Sequence, residues 1–360
     1  MNQEFILMDS DQVIKEILAR FPISGEQVRV IPVKTGLIHT SYKVIERQGK
    51  SYLLQKINTS VFRDVEALMG NIAHVTTILK DAFQSSPYES LELLKTNDGQ
   101  LFYEHEFKAW RIYHFKEHLV GYDAPENKEM VVEAGKAFAQ FAKTLSQTDP
   151  EQLSVTLPDF HSLQKRYQQF KLALKNTPVK LSEIDPLPEQ IAGFTQLLLP
   201  LEYAMDSGEI PIRITHNDSK FNNLLFDQTN KARCVVDLDT VMPGIIHFDV
   251  GDCLRTLTPS TPEDEPNLGK IELREDFHYA FLEGYIENES GWLTEEEIKF
   301  IPFSAPYMAL IMGIRFLTDY LQGNIYYSCD HPEHNLVRAK CQIEVTRQFL
   351  EQFPLNSDLT

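Results

Sequence analysis

The chain has 360 residues, 42% of them apolar, and its 52 acidic against 34 basic residues give a formal net charge of −18. That length suits two lobes sharing a cleft and the apolar share excludes a disordered chain, while the acidic excess argues against nucleic acid or an anionic membrane as partner, since either calls for a basic patch. Four cysteines without a Cys-x-x-Cys pair fit a reducing compartment, and the opening Met-Asn-Gln-Glu-Phe lacks the segments of a secretory signal, so a cytoplasmic protein is expected.

In chain order, Asp9-Ser-Asp-Gln12 resembles a capping box, opening a helix with Val13, Ile14, Ile17, Leu18 and Phe21 on its apolar face. Strands are expected over 28–33, 42–46 and 52–57. A turn that covers phosphates needs backbone N–H groups facing the ligand and a residue without a Cβ. In the first connection, 35–42, Gly36 is the single glycine, with Ser41 following it. Lys56, near the end of the third strand, is either a phosphate anchor or an ordinary solvated lysine. In the next helix Val65, Leu68, Met69, Ile72, Val75 and Leu79 share a face, and Glu66 either partners Lys56 or simply complements the helix dipole. Residues 91–94 and 101–103, around the turn Thr96-Asn-Asp-Gly99, read as a hairpin, and 109–115 is the last strand of this part.

Beyond it the pattern is helical over 130–145, 187–205 and 276–286, and Thr294 with Glu297 forms a capping box for another helix. The expected architecture is therefore α+β and bilobal: a strand-rich lobe over 1–115, a mainly helical lobe over 116–360, and a hinge at about 115–122. The most apolar helix, 303–317, is expected to be broken by Pro306 and Arg315 and to be too short for a bilayer. Cys329, His331, His334 and Cys341 have a metal-like spacing, but Pro332 divides the histidines and a helical pattern over 337–343 turns Cys341 toward a core, so a site without metal is the favoured reading.

The densest chemistry lies in Ile214-Thr-His-Asn-Asp-Ser-Lys-Phe-Asn-Asn-Leu-Leu-Phe-Asp227 and Val235-Val-Asp-Leu-Asp-Thr240. Phosphoryl transfer asks a protein for one carboxylate to orient the attacking hydroxyl and for an Asn and an Asp to hold Mg²⁺ against nucleotide phosphates. His216-Asn-Asp218-x-x-x-x-Asn223, with Asp237 closing a later strand, has the spacing of a kinase catalytic loop. Asp-Ser-Lys and Asn-Asn are also turn residues, but both halves in order favour the catalytic reading.

Together these residues resemble the aminoglycoside phosphotransferase and choline kinase-like small-molecule kinases, a branch of the protein-kinase-like fold, and among them the bacterial N-acetylhexosamine 1-kinases. The resemblance rests on Tyr52-Leu-Leu-Gln-Lys-Ile-Asn58 with Val61-Phe62, Trp110-Arg-Ile-Tyr113, the His216–Asn223 loop, Asp237-Leu-Asp-Thr-Val-Met-Pro-Gly244, Asp249-x-Gly-Asp252 with Arg255, Gly313-Ile-Arg-Phe-Leu-Thr-Asp-Tyr320 and His334-Asn-Leu, so it spans nearly the whole chain. It implies an ATP- and Mg²⁺-dependent phosphotransferase acting on an alcohol group. Asp218 would be the catalytic base, Asn223 and Asp237 the metal ligands with Asp239 assisting, Lys56 the phosphate anchor partnered by Glu66, and Gly36 and Ser41 phosphate contacts. The turn at Gly36 departs from the family in having one glycine.

The acceptor implied is the anomeric hydroxyl of GlcNAc or GalNAc, with Arg315 the candidate contact. A lone Arg in an apolar helix either reaches a cleft or is paired inside the protein, and Asp252 with Arg255, or Asp319, could supply that pairing. Two alternatives remain: a kinase for another sugar, for choline or ethanolamine, or for homoserine; and a catalytically silent nucleotide-binding interaction protein. A choline site would need aromatic walls around a cation, which Arg315 would repel. A silent protein should lack the base or a metal ligand, and Asp218, Asn223 and Asp237 are all present.

Overall fold

The computed structural model describes residues 12–23, 28–33, 38–287 and 291–355, so Gly36 and the start of the first expected cap lie outside the described residues. The chain divides into two compact units. One comprises Met1–Val120, Leu153–Thr156 and Leu225–Asp239, the other Gly121–Gln152, Leu157–Leu224 and Thr240–Thr360.

The first unit begins with a helix, α1, over 12–18, followed by β1 (Arg29–Val33), β2 (Thr40–Ile45), β3 (Ser51–Lys56), α2 (Val65–Ala82), β4 (Leu93–Leu94), β5 (Tyr103–His105) and β6 (Lys108–His114), and β7 (Val120–Gly121) stands at its end. The antiparallel sheet has the order β1-β2-β3-β6-β4, with β5 also on β6. Leu54 sits opposite Tyr42 on one side and Ile112 on the other. On one face Leu54, Tyr52, Val44, Trp110 and Ile112 pack with Ile14, Ile17, Leu18 and Phe21. Residues alternate across a strand, so Arg111 and Tyr113 point to the other face, and there Arg111 meets Met69 of α2. Asp64 caps α2 by accepting from the Ala67 N–H at 2.9 Å.

The expected hairpin between 91–94 and 101–103 does not form. The turn at Thr96 is present, closed by Gly99 N–H to Thr96 O at 2.9 Å, yet β4 and β5 each pair with β6 instead. The tight turn is the next one, where Glu106 (φ 49°) and Phe107 (φ 61°) join His105 to Lys108. Two successive positive φ values define that turn class, which glycine and asparagine usually mark in sequence.

The chain continues through α3 (Lys128–Leu145), α4 (Leu163–Asn176), α5 (Leu181–Ile184), α6 (Leu187–Asp206) and β8 (Arg213–Thr215). It then rejoins the first unit as β9 (Leu224–Phe226) and β10 (Ala232–Val235), strands of a small sheet of order β10-β9-β7. Asp227 fixes the turn between them, accepting from Thr229 N–H at 2.7 Å and from Arg233 Nε at 2.6 Å. A parallel bridge between Glu89 and Cys234 joins the hairpin to the first unit.

The second unit then adds β11 (Met242–Gly244), α7 (Ile246–Leu257), α8 (Glu275–Leu282) with a π-helical turn over Glu283–Glu287, α9 (Glu295–Leu321) and α10 (His334–Gln352). The expected break at Pro306 does not occur: α9 runs for 27 residues through Pro302 and Pro306. That is about 40 Å of helix at about 1.5 Å per residue. An internal proline costs about 3 kcal/mol, which here is offset by burial against α4, α6, α7 and α10. By length and composition α9 could cross a membrane, but 83% of its most apolar window is buried inside the protein, the signature of a core helix. Thr294 and Glu297 form the expected capping box. A Cβ built on Gly251 would stand 2.2 Å from the Ser304 carbonyl oxygen, so glycine permits the close crossing of α7 and α9.

Candidate active site

In the second unit the catalytic loop leaves β8, which pairs with β11 through Thr215 opposite Met242. Asn217 holds a left-handed conformation (φ 62°), uncommon outside glycine. It persists because the surroundings over-determine it. Buried Asp249 accepts from the His216 N–H at 2.9 Å and the Asn217 N–H at 2.7 Å, and its carbonyl accepts from Ser219 Oγ at 2.7 Å. Asn217 Nδ2 donates to the carbonyls of Thr215, Thr240 and Met242 at 3.2, 3.1 and 3.3 Å. From the other side His161 Nε2 donates to the Asn217 carbonyl at 2.9 Å.

This clamp presents Asp218 with its side chain 25% exposed. Lys220 Nζ lies 2.6 Å from Asp218 Oδ1, and Asn223 Nδ2 donates to the Asp218 carbonyl at 2.7 Å and to Oδ2 at 3.3 Å. Burial pushes the Asp218 carboxyl up, but the Lys220 ammonium, with His216 and Arg255 further off, outweighs it and holds the group below the usual carboxylate range. Burial likewise works against the charge on Lys220, and Asp218 and Asp252 outweigh it, so its pKa is raised. The amide nitrogen of Asn223 is committed to Asp218, which leaves its amide oxygen as the atom able to meet a hard cation.

In the first unit Asp237 also has a positive φ, 60°. Two residues on, Asp239 is 3% exposed, and both its oxygens are taken. Arg111, itself buried, grips them with a two-pronged contact (Nη1 to Oδ1, and Nη2 to Oδ2 at 2.7 Å), and His39 Nε2 approaches Oδ2 at 2.7 Å. His39 Nδ1 accepts from the Asn58 N–H at 3.0 Å, so the ring proton sits on Nε2, where it donates to Asp239. Burial raises the Asp239 carboxyl, but Arg111 and His39 hold it far below its ordinary value. The expected metal-assisting carboxylate is thus the centre of a buried charge network that anchors the segment carrying Asp237.

Ser41 is buried beside this network, accepting from Gln55 Nε2 at 3.1 Å, while Gln55 Oε1 accepts from Arg111 Nε at 3.0 Å. Lys56 stands opposite Trp110, its ammonium 5.9 Å from the indole centre. Among the described residues it makes no ion pair with Glu66, which lies in the first turn of α2.

Arg315, on α9 in the second unit, has neither of the pairings expected for it. Asp252 receives Arg255 Nε at 2.6 Å, and Asp319 accepts the backbone N–H groups of Ile325, Tyr326 and Tyr327 at 2.8–3.0 Å. The Arg315 guanidinium instead lies 5.1 Å from the Phe160 ring centre and 5.6 Å from that of Tyr327. The Cys329 to Cys341 group gathers no metal site: His334 faces Asp264 at 3.4 Å, Cys341 is buried, and no set of three or more metal-capable side chains occurs among the described residues. Sequence reasoning assigned no individual role to Lys220, Arg111 or Asp249, which stand only within quoted motifs, and did not single out His161; the partners of Arg111, Asp249 and His161 are distant in the chain.

An antiparallel-sheet unit, a helical unit and a clamped aspartate five residues before an asparagine define the class as protein-kinase-like phosphotransferases. The Phosphotransferase enzyme family matches residues 29–285, and the chain belongs to that family, one of small-molecule kinases. Solved structures share the fold. A microcompartment-associated aminopropanol kinase aligns with TM-score 0.66 at 15% identity, covering 97% of this chain and 100% of its own. An amicoumacin kinase in complex with AMP-PNP, Ca²⁺ and Ami aligns with TM-score 0.63 at 15% identity over 100% of both chains. Choline kinase from Cryptosporidium parvum Iowa II gives 0.61 at 14% identity, covering 95% of this chain and 97% of its own.

Proposed function

We propose that this chain is a cytoplasmic ATP- and Mg²⁺-dependent kinase that phosphorylates the anomeric hydroxyl of an N-acetylhexosamine such as GlcNAc or GalNAc. The observation that carries the kinase reading is the Asp218, Lys220 and Asn223 arrangement on a loop held rigid by Asp249 and His161. Asp218 takes the proton of the acceptor hydroxyl as that oxygen forms its bond to the γ-phosphorus and the β,γ-bridging P–O bond breaks to release ADP. Lys220 keeps the base ionised. Asn223 and Asp237 would be the oxygen donors for Mg²⁺, whose charge would there be set against that of the phosphates. Lys56 is the phosphate anchor in this reading.

Arg315 favours an uncharged sugar over choline or ethanolamine, because it sets a cation on the aromatic wall where a quaternary ammonium would need the rings to itself. The test is ADP release across free sugars, choline and ethanolamine, with the phosphorylated position read by phosphorus NMR. Turnover of GlcNAc or GalNAc to the 1-phosphate supports the reading; turnover of choline alone overturns it.

A further inference from the structure

Arg315 is not alone. Arg166, on α4, donates from Nε and Nη2 to the Phe160 carbonyl at 3.3 and 3.0 Å and from Nη1 to Gln169 Oε1 at 3.0 Å. One residue, Phe160, therefore carries both cations, Arg166 on its carbonyl and Arg315 over its ring. Neither forms an ion pair among the described residues, although the chain holds 52 acidic side chains. The carboxylate that acts on Arg166, Asp159, is exposed and out of ion-pair reach, and Glu263, which acts on Tyr327, is spent on Arg255 at 2.8 Å. Burial and the neighbouring Arg315 charge together lower the Arg166 pKa, so the two guanidiniums repel one another in place. Unpaired, partly buried like charges are costly unless a ligand answers them.

The pair lies within electrostatic reach of the loop that carries the base. His161, which holds Asn217, is under the influence of both Arg315 and Asp218, and burial first, then Arg315, bring its pKa down to about 3. The ring is neutral at physiological pH, with a buried Nδ1 that has no partner, and the Tyr327 hydroxyl is likewise buried without one. Tyr327 and Tyr326 are placed by Asp319, which ties down the backbone of their loop.

We propose that Arg166 and Arg315 form a subsite for an oxygen acceptor on the substrate, an amide carbonyl or a carboxylate, bracketed by Phe160 and Tyr327, and that this subsite rejects acceptors carrying an ammonium group. It rests on the reading of Asp218 as the base that faces the acceptor. A guanidinium pair supplies planar donors for such an oxygen, and like charges placed together disfavour the wrong ligand.

The experiment uses two scaffolds in three charge forms: glucosamine, N-acetylglucosamine and glucuronate; ethanolamine, N-acetylethanolamine and glycolate. ADP release is followed for the wild type, Arg166→Gln, Arg315→Gln and the double variant, with melting temperatures alongside. Within whichever scaffold is used, the carbonyl or carboxylate form should exceed the ammonium form by about tenfold or more in kcat/KM, and the double variant should flatten that ratio while KM for ATP stays near the wild-type value. If only the ethanolamine series reacts but keeps this order, the sugar reading falls and the subsite stands. An ammonium form that reacts best, or a ratio untouched in folded variants, overturns the proposal. Should a variant not fold, the wild-type order decides. Should no acceptor react, carboxyl-labelled ¹³C-acetate titrated by NMR decides: binding lost in the double variant supports the subsite, and binding absent or unaltered overturns it.

Discussion

At the scale of single residues, Asp218 is kept ionised against its own burial by Lys220. Asp218→Asn should lower kcat by about 10²- to 10⁴-fold, the worth of a positioned base, while calorimetry shows nearly unchanged ATP affinity. The pH dependence follows from the sign of the shift. The folded pKa of Asp218 is depressed, so the active carboxylate is present above it and lost as pH falls through it. Lys220→Met removes the chief lowering influence and leaves the raising one, burial, in place. The acidic limb of the kcat profile should therefore move to higher pH, and a limb that stays put would disprove the role given to Lys220. Arg111 poses a different problem, because truncating it strands Asp239 as a buried charge with His39 as its remaining partner. Arg111→Met should cost about 3–5 kcal/mol in urea unfolding, the typical loss when one partner of a buried pair is removed.

At the scale of elements, the α7 and α9 crossing depends on Gly251. Gly251→Ala would drive a methyl into the Ser304 carbonyl, a backbone atom that can yield only if the helices part. Overpacking costs about 1–3 kcal/mol where side chains can adjust, so a loss at the upper end of that range or beyond is expected, measured as a fall in denaturation midpoint. The sequence shows why such features were only partly legible. The spacing from Asp218 to Asn223 and the capping box at Thr294 are local, and local chemistry reads directly from neighbours in the chain. Asp239 could not be read that way, since its partner Arg111 is 128 positions earlier and nothing near Asp-Leu-Asp announces it. Pro302 and Pro306 mark a helix break by local rule, and burial of α9 by four neighbouring helices overrules it. The turn at Glu106-Phe107 lacks glycine and asparagine, so the pairing of β5 with β6 around it is not legible in the local sequence.

At the scale of the whole molecule, the residues assigned to nucleotide and metal are divided between two compact units: Lys56 and Asp237 in one, Asp218 and Asn223 in the other. A ligand that binds the folded chain and not the unfolded one should stabilise it by RT ln(1 + [L]/Kd), or about 2.7 kcal/mol at a hundredfold excess over Kd. The proposed metal role makes that gain conditional, because Mg²⁺ needs hard oxygen ligands and accepts few substitutes. Asn223 offers its amide oxygen and Asp237 its carboxylate, whereas Asp239 already accepts from Arg111 and His39 through its two oxygens. In thermal unfolding, ATP with Mg²⁺ should therefore raise the melting temperature, and EDTA should erase most of the rise. Asn223→Ala and Asp237→Ala should show the EDTA level of stabilisation whether or not Mg²⁺ is added. If Mg²⁺ still raised the melting temperature of both variants in the presence of ATP as it does the wild type, the metal would have to be held elsewhere and the assignment of Asn223 and Asp237 would be lost.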